Sequence, residues 1–421
     1  MKPQNCPLHA AAHHVSGFFI EPYRPFFALA TLYNVVIMAL WFTWLHGLEM
    51  QKSFFSFQIS PLQTHFHWML FGFPSLYIFG FLLTAFPKWV SAQQTKGPYN
   101  IFLALMLFLS QILILIGTLF SIWLLKFALL FELLMMLALF RLLFNFYISY
   151  PGKKLFDQSS MVLIALGFGI IAQIFYQLSV WVSFNPYYSF SLYFAQYPYL
   201  LFLMMGVSYR ILAFFTSTLP PSTEVQRGPF TLHLALALIF ALGLLKFMPF
   251  SSTTSYPQGL LLIVLGLVWL KELQHWKWKK SLSNFLLFSH YLAFFWVILF
   301  LELKGFQEIF SHSFLQDRRI YLAIQHLFFV GGISTLIWGI STRVTRGHGG
   351  LGFNLGKIDY LIFTLLQLAV LTRVFIPLLE IKFKFLEGQS FHSAFLWWLA
   401  FLIWGLRYLP ILATSSGTRK P

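Results

Sequence analysis

The chain has 421 residues, of which 58% are hydrophobic and only 10% charged. A soluble domain carries roughly a quarter charged residues; with so few, its surface would aggregate, and the apolar content is too high for a disordered chain. The net charge of +16 is what a membrane protein shows when Lys and Arg are retained on the cytoplasmic side, so no nucleic-acid partner is expected.

What remains is an all-α, polytopic membrane protein whose main partner is the lipid bilayer. The N-terminal stretch Met1 to Ser16 is polar and His-rich, without an apolar core, and is not expected to be a cleaved signal. Cys6 is the single cysteine, so no intramolecular disulfide, CxxC metal site or iron–sulfur cluster is expected. Twelve apolar windows follow, each near the ~20 residues that a crossing needs. They lie near 26–46, 66–87, 100–118, 121–148, 159–183, 190–217, 229–249, 257–273, 282–303, 319–342, 357–379 and 391–413. The third and fourth almost merge and are the least separated. The chain therefore divides into a tail over 1–22, a transmembrane helical domain over 23–413 and a tail over 414–421. No repeat of 20–50 residues is visible.

Twelve spans put both termini on one side. Nineteen of the 28 Lys and Arg residues, including Lys88, Lys153, Lys154, Arg343 and Arg346, fall nearest that side. The positive-inside rule makes it cytoplasmic, as expected for a bacterial inner-membrane protein. Glu302, Glu308, Asp317 and Glu387 fall on the other.

Histidines near span ends carry the chemistry. His46 ends span 1, His65 and His67 open span 2, His312 sits in a loop, His326 lies two turns into span 10, and His392 opens span 12. His65 and His326 enter the bilayer from the same side at similar depth, as the two axial ligands of a haem iron would. Each also reads as an interfacial histidine bonded to water or a carbonyl. His65 and His67 are two residues apart and point in nearly opposite directions on a regular helix, so they do not chelate one ion, and His67 is the alternative span 2 ligand. Met69, Gly72, Leu76 and Gly80 share the face of His65, where glycines leave room either for a flat macrocycle or for a neighbouring helix. Gly331 and Gly332 follow His326 in the same way. Arg343 to Gly350, with His348, closes span 10 and suits either an anion such as a propionate or a membrane anchor. Glu132, in the middle of span 4, is expected to be protonated or paired; Lys126 lies about two turns away.

Several segments, in order, resemble the NnrS family. Tyr23-Arg24-Pro25-Phe26-Phe27 resembles its GFRPFF opening, and His65-Phe66-His67-Trp68-Met69-Leu70-Phe71-Gly72 its HAHEMLFG motif. Gly80-Phe81-Leu82-Leu83-Thr84-Ala85 with Pro87-Lys88-Trp89 resembles GFLLTAVPNW. Gln325-His326 through Thr342-Arg343 and Gly347-His348 resembles the HAL…MTR…LGH block, and Arg407-Tyr408-Leu409-Pro410-Ile411-Leu412 the closing RYGPIL. The resemblance implies a membrane protein holding haem b and copper, linked to nitric oxide and nitrosative stress, with no firmly established reaction. Trp68 stands where the family usually has Glu, and the PRxDG tail after the last span is missing.

A fainter resemblance is to the catalytic subunit of haem–copper oxidases and nitric oxide reductases, whose span 2 carries a His-xxx-Met pattern matched by His65 and Met69. It implies that His65 and His326 hold a low-spin haem. The reactive-haem ligand would fall at Ile324, the copper-ligand His-Pro at Tyr197-Pro198, and span 7 has only His233. On that template the low-spin site survives and the binuclear site does not. Three readings stand: a haem-based sensor, NO-binding or electron-transfer protein; a secondary transporter or metal exporter; and an oxidoreductase acting on NO. The sequence identifies no electron donor.

Overall fold

The computed structural model describes residues 21–95, 97–154, 156–222, 224–228, 230–248, 252–310, 317–383 and 391–414. Cys6, His312, Glu387 and most of both tails lie outside them.

The described residues form helices joined by short loops, without strands. In chain order they are α1 (Tyr23–Glu49), α2 (Pro61–Trp89), α3 (Gly97–Phe120), α4 (Ile122–Ile148), α5 (Gln158–Val182), α6 (Asn185–Ser217), α7 (Thr231–Phe247), α8 (Ser252–His275), α9 (Phe285–Ile309), α10 (Arg318–His348), α11 (Lys357–Glu380) and α12 (Phe391–Ala413). Eleven of them are long and apolar enough to cross a membrane, so the protein is a multi-pass membrane protein. The exception is α7, expected over 229–249, which has 17 residues. At 1.5 Å per residue it is ~25 Å long, just short of the hydrocarbon core. The third and fourth spans are cleanly separate. Ser121 has extended backbone and accepts a hydrogen bond from the Leu124 N–H at 3.3 Å, so α4 restarts with its own cap.

Similar caps start α5, α9 and α10. Asp157 accepts from Ser160 N at 2.7 Å, Asn284 from Leu287 N at 2.9 Å, and Asp317 from Arg319 N at 2.8 Å. Inside a bilayer the backbone has no water to turn to, so each helix runs unbroken until such a cap or a loop takes over its end groups.

Three helices, α2, α6 and α10, meet at the centre. The rest fill three arcs around this hub: α3 to α5 between α2 and α6, α7 to α9 between α6 and α10, and α11, α12 and α1 between α10 and α2. The recurring unit is thus four helices, far longer than a repeat of 20–50 residues. Each hub helix contains a π-helical segment: Trp68–Gly72 in α2, Ala195–Leu201 in α6 and Leu327–Ser334 in α10. Such insertions are rare and concentrate at functional sites. All three lie in the half of the bundle opposite the end that carries Arg343, Arg346 and Arg407.

Candidate functional site

His65 and His326 each stand just before a π segment, on hub helices that face the same arc. Pro61 opens α2, where a missing N–H costs nothing, and puts His65 in its second turn. Its imidazole stacks on the indole of Trp41 from α1, with centroids 4.0 Å apart and planes 13° apart. His65 Nδ1 is buried without a hydrogen-bond partner. On α10, the His326 Nδ1–H donates to the Leu322 carbonyl at 2.6 Å. That bond fixes the tautomer and leaves the Nε2 lone pair for a metal, as second-shell carbonyls do for ligating histidines. The two imidazoles lie within electrostatic reach of each other, and the guanidinium of Arg373 on α11 lies within reach of both.

This donor set fits a haem. It offers two imidazole nitrogens from opposite sides of one arc, an aromatic wall at Trp41, and a cation to offset a propionate. Arg373 was not legible in the sequence, because only packing decides which way an arginine on α11 turns.

The other expected site residues lie elsewhere. Met69 is partly buried against the core one turn from His65, but the π segment begins at Trp68, so the His-xxx-Met spacing does not run along a regular helix face. Gly72 and Gly80 serve helix packing: a Cβ would meet the Tyr33 ring at 2.8 Å from Gly72 and Phe26 Cβ at 2.6 Å from Gly80. Gly331 and Gly332 likewise make room for Trp296 and Val297 of α9. The guanidinium of Arg343 covers the Phe215 and Phe353 rings at 3.6 and 4.4 Å. His348 bonds the Val344 carbonyl at 3.1 Å through Nδ1 and packs on Tyr23 at 5.1 Å. By helix rise, Arg343 is ~25 Å along α10 from His326, so neither it nor His348 shares the His65–His326 site.

His67 turns into a different arc. Its Nε2 lies 2.8 Å from Glu132 Oε2, with side chains 2% and 0% exposed. Glu132 also accepts from Gln111 Nε2 at 2.7 Å and from Gln173 Nε2. Four spans, α2 to α5, thus meet on one buried carboxylate. Lys126 does not take part; its ammonium sits over Trp123 and Trp181 at 5.0 and 5.1 Å. Around this cluster Tyr33 Oη, His67 Nδ1, Gln111 Oε1 and Gln173 Oε1 are buried without protein partners, a setting that suits internal water.

At the basic end a second buried network joins three helices. Asp359, 0% exposed, pairs with Arg346 at 3.3 Å and Arg407 at 2.7 Å, and accepts from the Tyr408 hydroxyl at 2.7 Å. Arg346 also donates to the carbonyls of Leu351, Gly352 and Asn354. Arg24 Nη1 donates to the carbonyls of Ile411, Leu412 and Thr414, tying α1 to the end of α12. The arginines of the Tyr-Arg-Pro and Arg-Tyr segments therefore hold helix ends together.

Tyr197 and Pro198 lie within the π segment of α6, and Ile324 is buried. His233 packs between Phe156 and Phe230. Among the described residues no group of three or more His, Cys, Asp or Glu side chains is placed to hold a metal ion. No curated protein matches the chain. A family model described as NnrS protein matches residues 17–415, nearly the whole length, and the chain therefore belongs to the NnrS family.

Proposed function

We propose that this NnrS-family chain is a haem-binding protein of the bacterial inner membrane, with both termini cytoplasmic, which takes part in the nitric oxide response by binding, sensing or electron transfer. The observations that support the reading are the placement of His65 and His326 just before the π segments of α2 and α10, the stacking of His65 on Trp41, and the carbonyl bond that leaves His326 Nε2 open. A bound haem b supplies a one-electron couple and an iron that can take nitric oxide. The chain's own residues do the rest. His65 and His326 would hold the haem from α2 and α10, with the Leu322 carbonyl orienting His326 and Trp41 packing on His65, and Arg373 would offset negative charge. The copper that the family resemblance implies has no assigned ligands here.

Reducing NO to nitrous oxide takes two NO molecules, two electrons and protons, which calls for an open iron position and a second metal. Ile324, Tyr197 and Pro198 offer no imidazole, so the residues that would supply a second metal on the haem–copper template are not present at those positions. The reading therefore favours binding or electron transfer over turnover.

Visible spectra of the purified protein, oxidised and reduced, test the reading. The expected result is a paired-histidine spectrum, abolished by His65→Ala or His326→Ala and retained in His67→Ala. Full haem retention in both His65→Ala and His326→Ala would overturn the ligand assignment. Rapid catalytic consumption of NO by the electron-supplied protein would overturn the preference for binding.

A further inference from the structure

At the hub, between α2, α6 and α10, lies a cavity of about 70 Å³ with no polar surface. Phe27, Tyr77, Leu200, Met204, Ile333 and Ile337 are among its walls. The polar groups near it are turned away or already bonded. The Tyr77 hydroxyl pairs with Thr31 Oγ1 at 2.9 Å, and Ser341 Oγ donates to the Trp338 carbonyl at 3.2 Å.

The space has a structural cause. Leu200 belongs to the π segment of α6 and Ile333 to that of α10, while Tyr77 lies about one turn beyond that of α2. A π turn holds an extra residue and breaks the i, i+4 register along which side chains interdigitate. Where three such helices converge, the ridges no longer fill the grooves.

We propose that this cavity is a binding site for a small, neutral, apolar gas molecule of the diatomic class to which nitric oxide belongs. A water-sized molecule needs roughly 10–15 Å³ of such space, so a few diatomic molecules fit. Water does not compete, because a site for water must offer two to four polar partners, and ions are excluded for the same reason. The space is partly open, so the end of a lipid acyl chain is the competing apolar occupant, which the xenon test distinguishes. Gas molecules concentrate in the hydrocarbon core, and the hub passes through it. The choice of nitric oxide rests on the proposed function; the existence of the site does not.

Xenon is the probe, used with the full-length protein in lipid nanodiscs and read by xenon NMR exchange and by anomalous density at the hub. Saturable xenon binding is expected, displaced by nitric oxide under anaerobic conditions. Leu200→Phe and Ile337→Phe, which fill the space from α6 and α10, are each expected to lower xenon affinity at least tenfold. Anomalous density reads xenon at the hub, whose lining does not include His65 or His326, so loss of the haem reading leaves this result standing. The proposal is overturned by absence of xenon binding in the parent, by an acyl chain in the cavity, by xenon that nitric oxide does not displace, or by unchanged affinity in both filled variants.

Discussion

Removing the Glu132 carboxylate takes away the common acceptor of three buried side chains. His67 Nε2, Gln111 Nε2 and Gln173 Nε2 all donate to it, and Glu132 is fully buried. In Glu132→Ala these donors face hydrocarbon and each other. A hydrogen bond to a charged group is worth ~1.5–3 kcal/mol net, but bonds that share one acceptor do not add independently. Breaking a buried pair by deleting one partner costs about 3–5 kcal/mol, so the expected loss is ~4 kcal/mol. Glu132→Gln keeps the volume and one acceptor oxygen but turns an NH2 toward donors; its expected cost is ~2 kcal/mol. The assay is equilibrium unfolding in mixed micelles, compared with His67→Ala and the double variant. Because the groups share a network, the double variant should lose less than the sum of the singles. His67 points away from the arc that holds His65, so the visible spectrum of Glu132→Gln should match the parent. A Glu132→Ala variant within 1 kcal/mol of the parent, or strict additivity in the cycle, would refute the claim that one carboxylate holds this arc.

Four further outcomes are expected. Asp359→Ala, which removes the counter-charge of Arg346 and Arg407 but leaves the carbonyl bonds of Arg346 in place, should cost about 3 kcal/mol, the lower end for breaking a buried pair, in the same unfolding assay while leaving the haem spectrum intact. Arg373→Met should lower the haem reduction potential, on the order of 50 mV, since a nearby cation favours the reduced state; a spectroelectrochemical titration showing no shift would remove Arg373 from the site. At the start of α10, the Arg319 guanidinium and N–H hold the Asp317 carboxyl at about 2, below its unfolded value of ~3.9. Its stabilising effect is therefore complete at neutral pH and is lost as pH falls through 2, so Asp317→Ala should lower the melting temperature at pH 7 and leave it unchanged near pH 2. Reporter fusions at Pro421 and in the loop around Lys52 should report opposite sides of the membrane, with Pro421 cytoplasmic; a periplasmic signal from the C-terminal fusion would overturn the span count.

The spans were legible because a membrane crossing needs only a run of apolar residues, which no distant partner can alter. The break at Ser121 was less visible, since one capping residue separates two strongly apolar helices. The shortness of α7, 17 residues long, was hidden by the apolar count of its window. That His65 and His326 stand near the same ends of α2 and α10 could be read from the span bounds, although His65 is the fifth residue of its helix and His326 the ninth. Which faces they present could not. A π segment adds a residue to a turn without a composition signature, and a face drawn through Met69, Gly72 and Gly80 at 100° per residue drifts off after Trp68. The two glycines accordingly meet Tyr33 and Phe26. The partner of Glu132 was out of reach for another reason: His67, Gln111 and Gln173 come from three other helices, and only the bundle brings them together. The family resemblance marked Arg24, Arg343 and Arg407 without telling holding roles from chemical ones, and it did not mark Arg346, which shares Asp359 with Arg407.

The Arg24 contact has a consequence for synthesis. Arg24 is 2% exposed, and its carbonyl acceptors are Ile411, Leu412 and Thr414, the last turn of the last helix. While the chain is emerging, those acceptors do not exist, and the cation waits at the interface until α12 has been inserted. Among the described residues, the bonds between Arg24 and the end of α12 form only once residues 411–414 are in place. A ribosome that stops before residue 411 therefore leaves the seam between α1 and α12 without the contacts that close it.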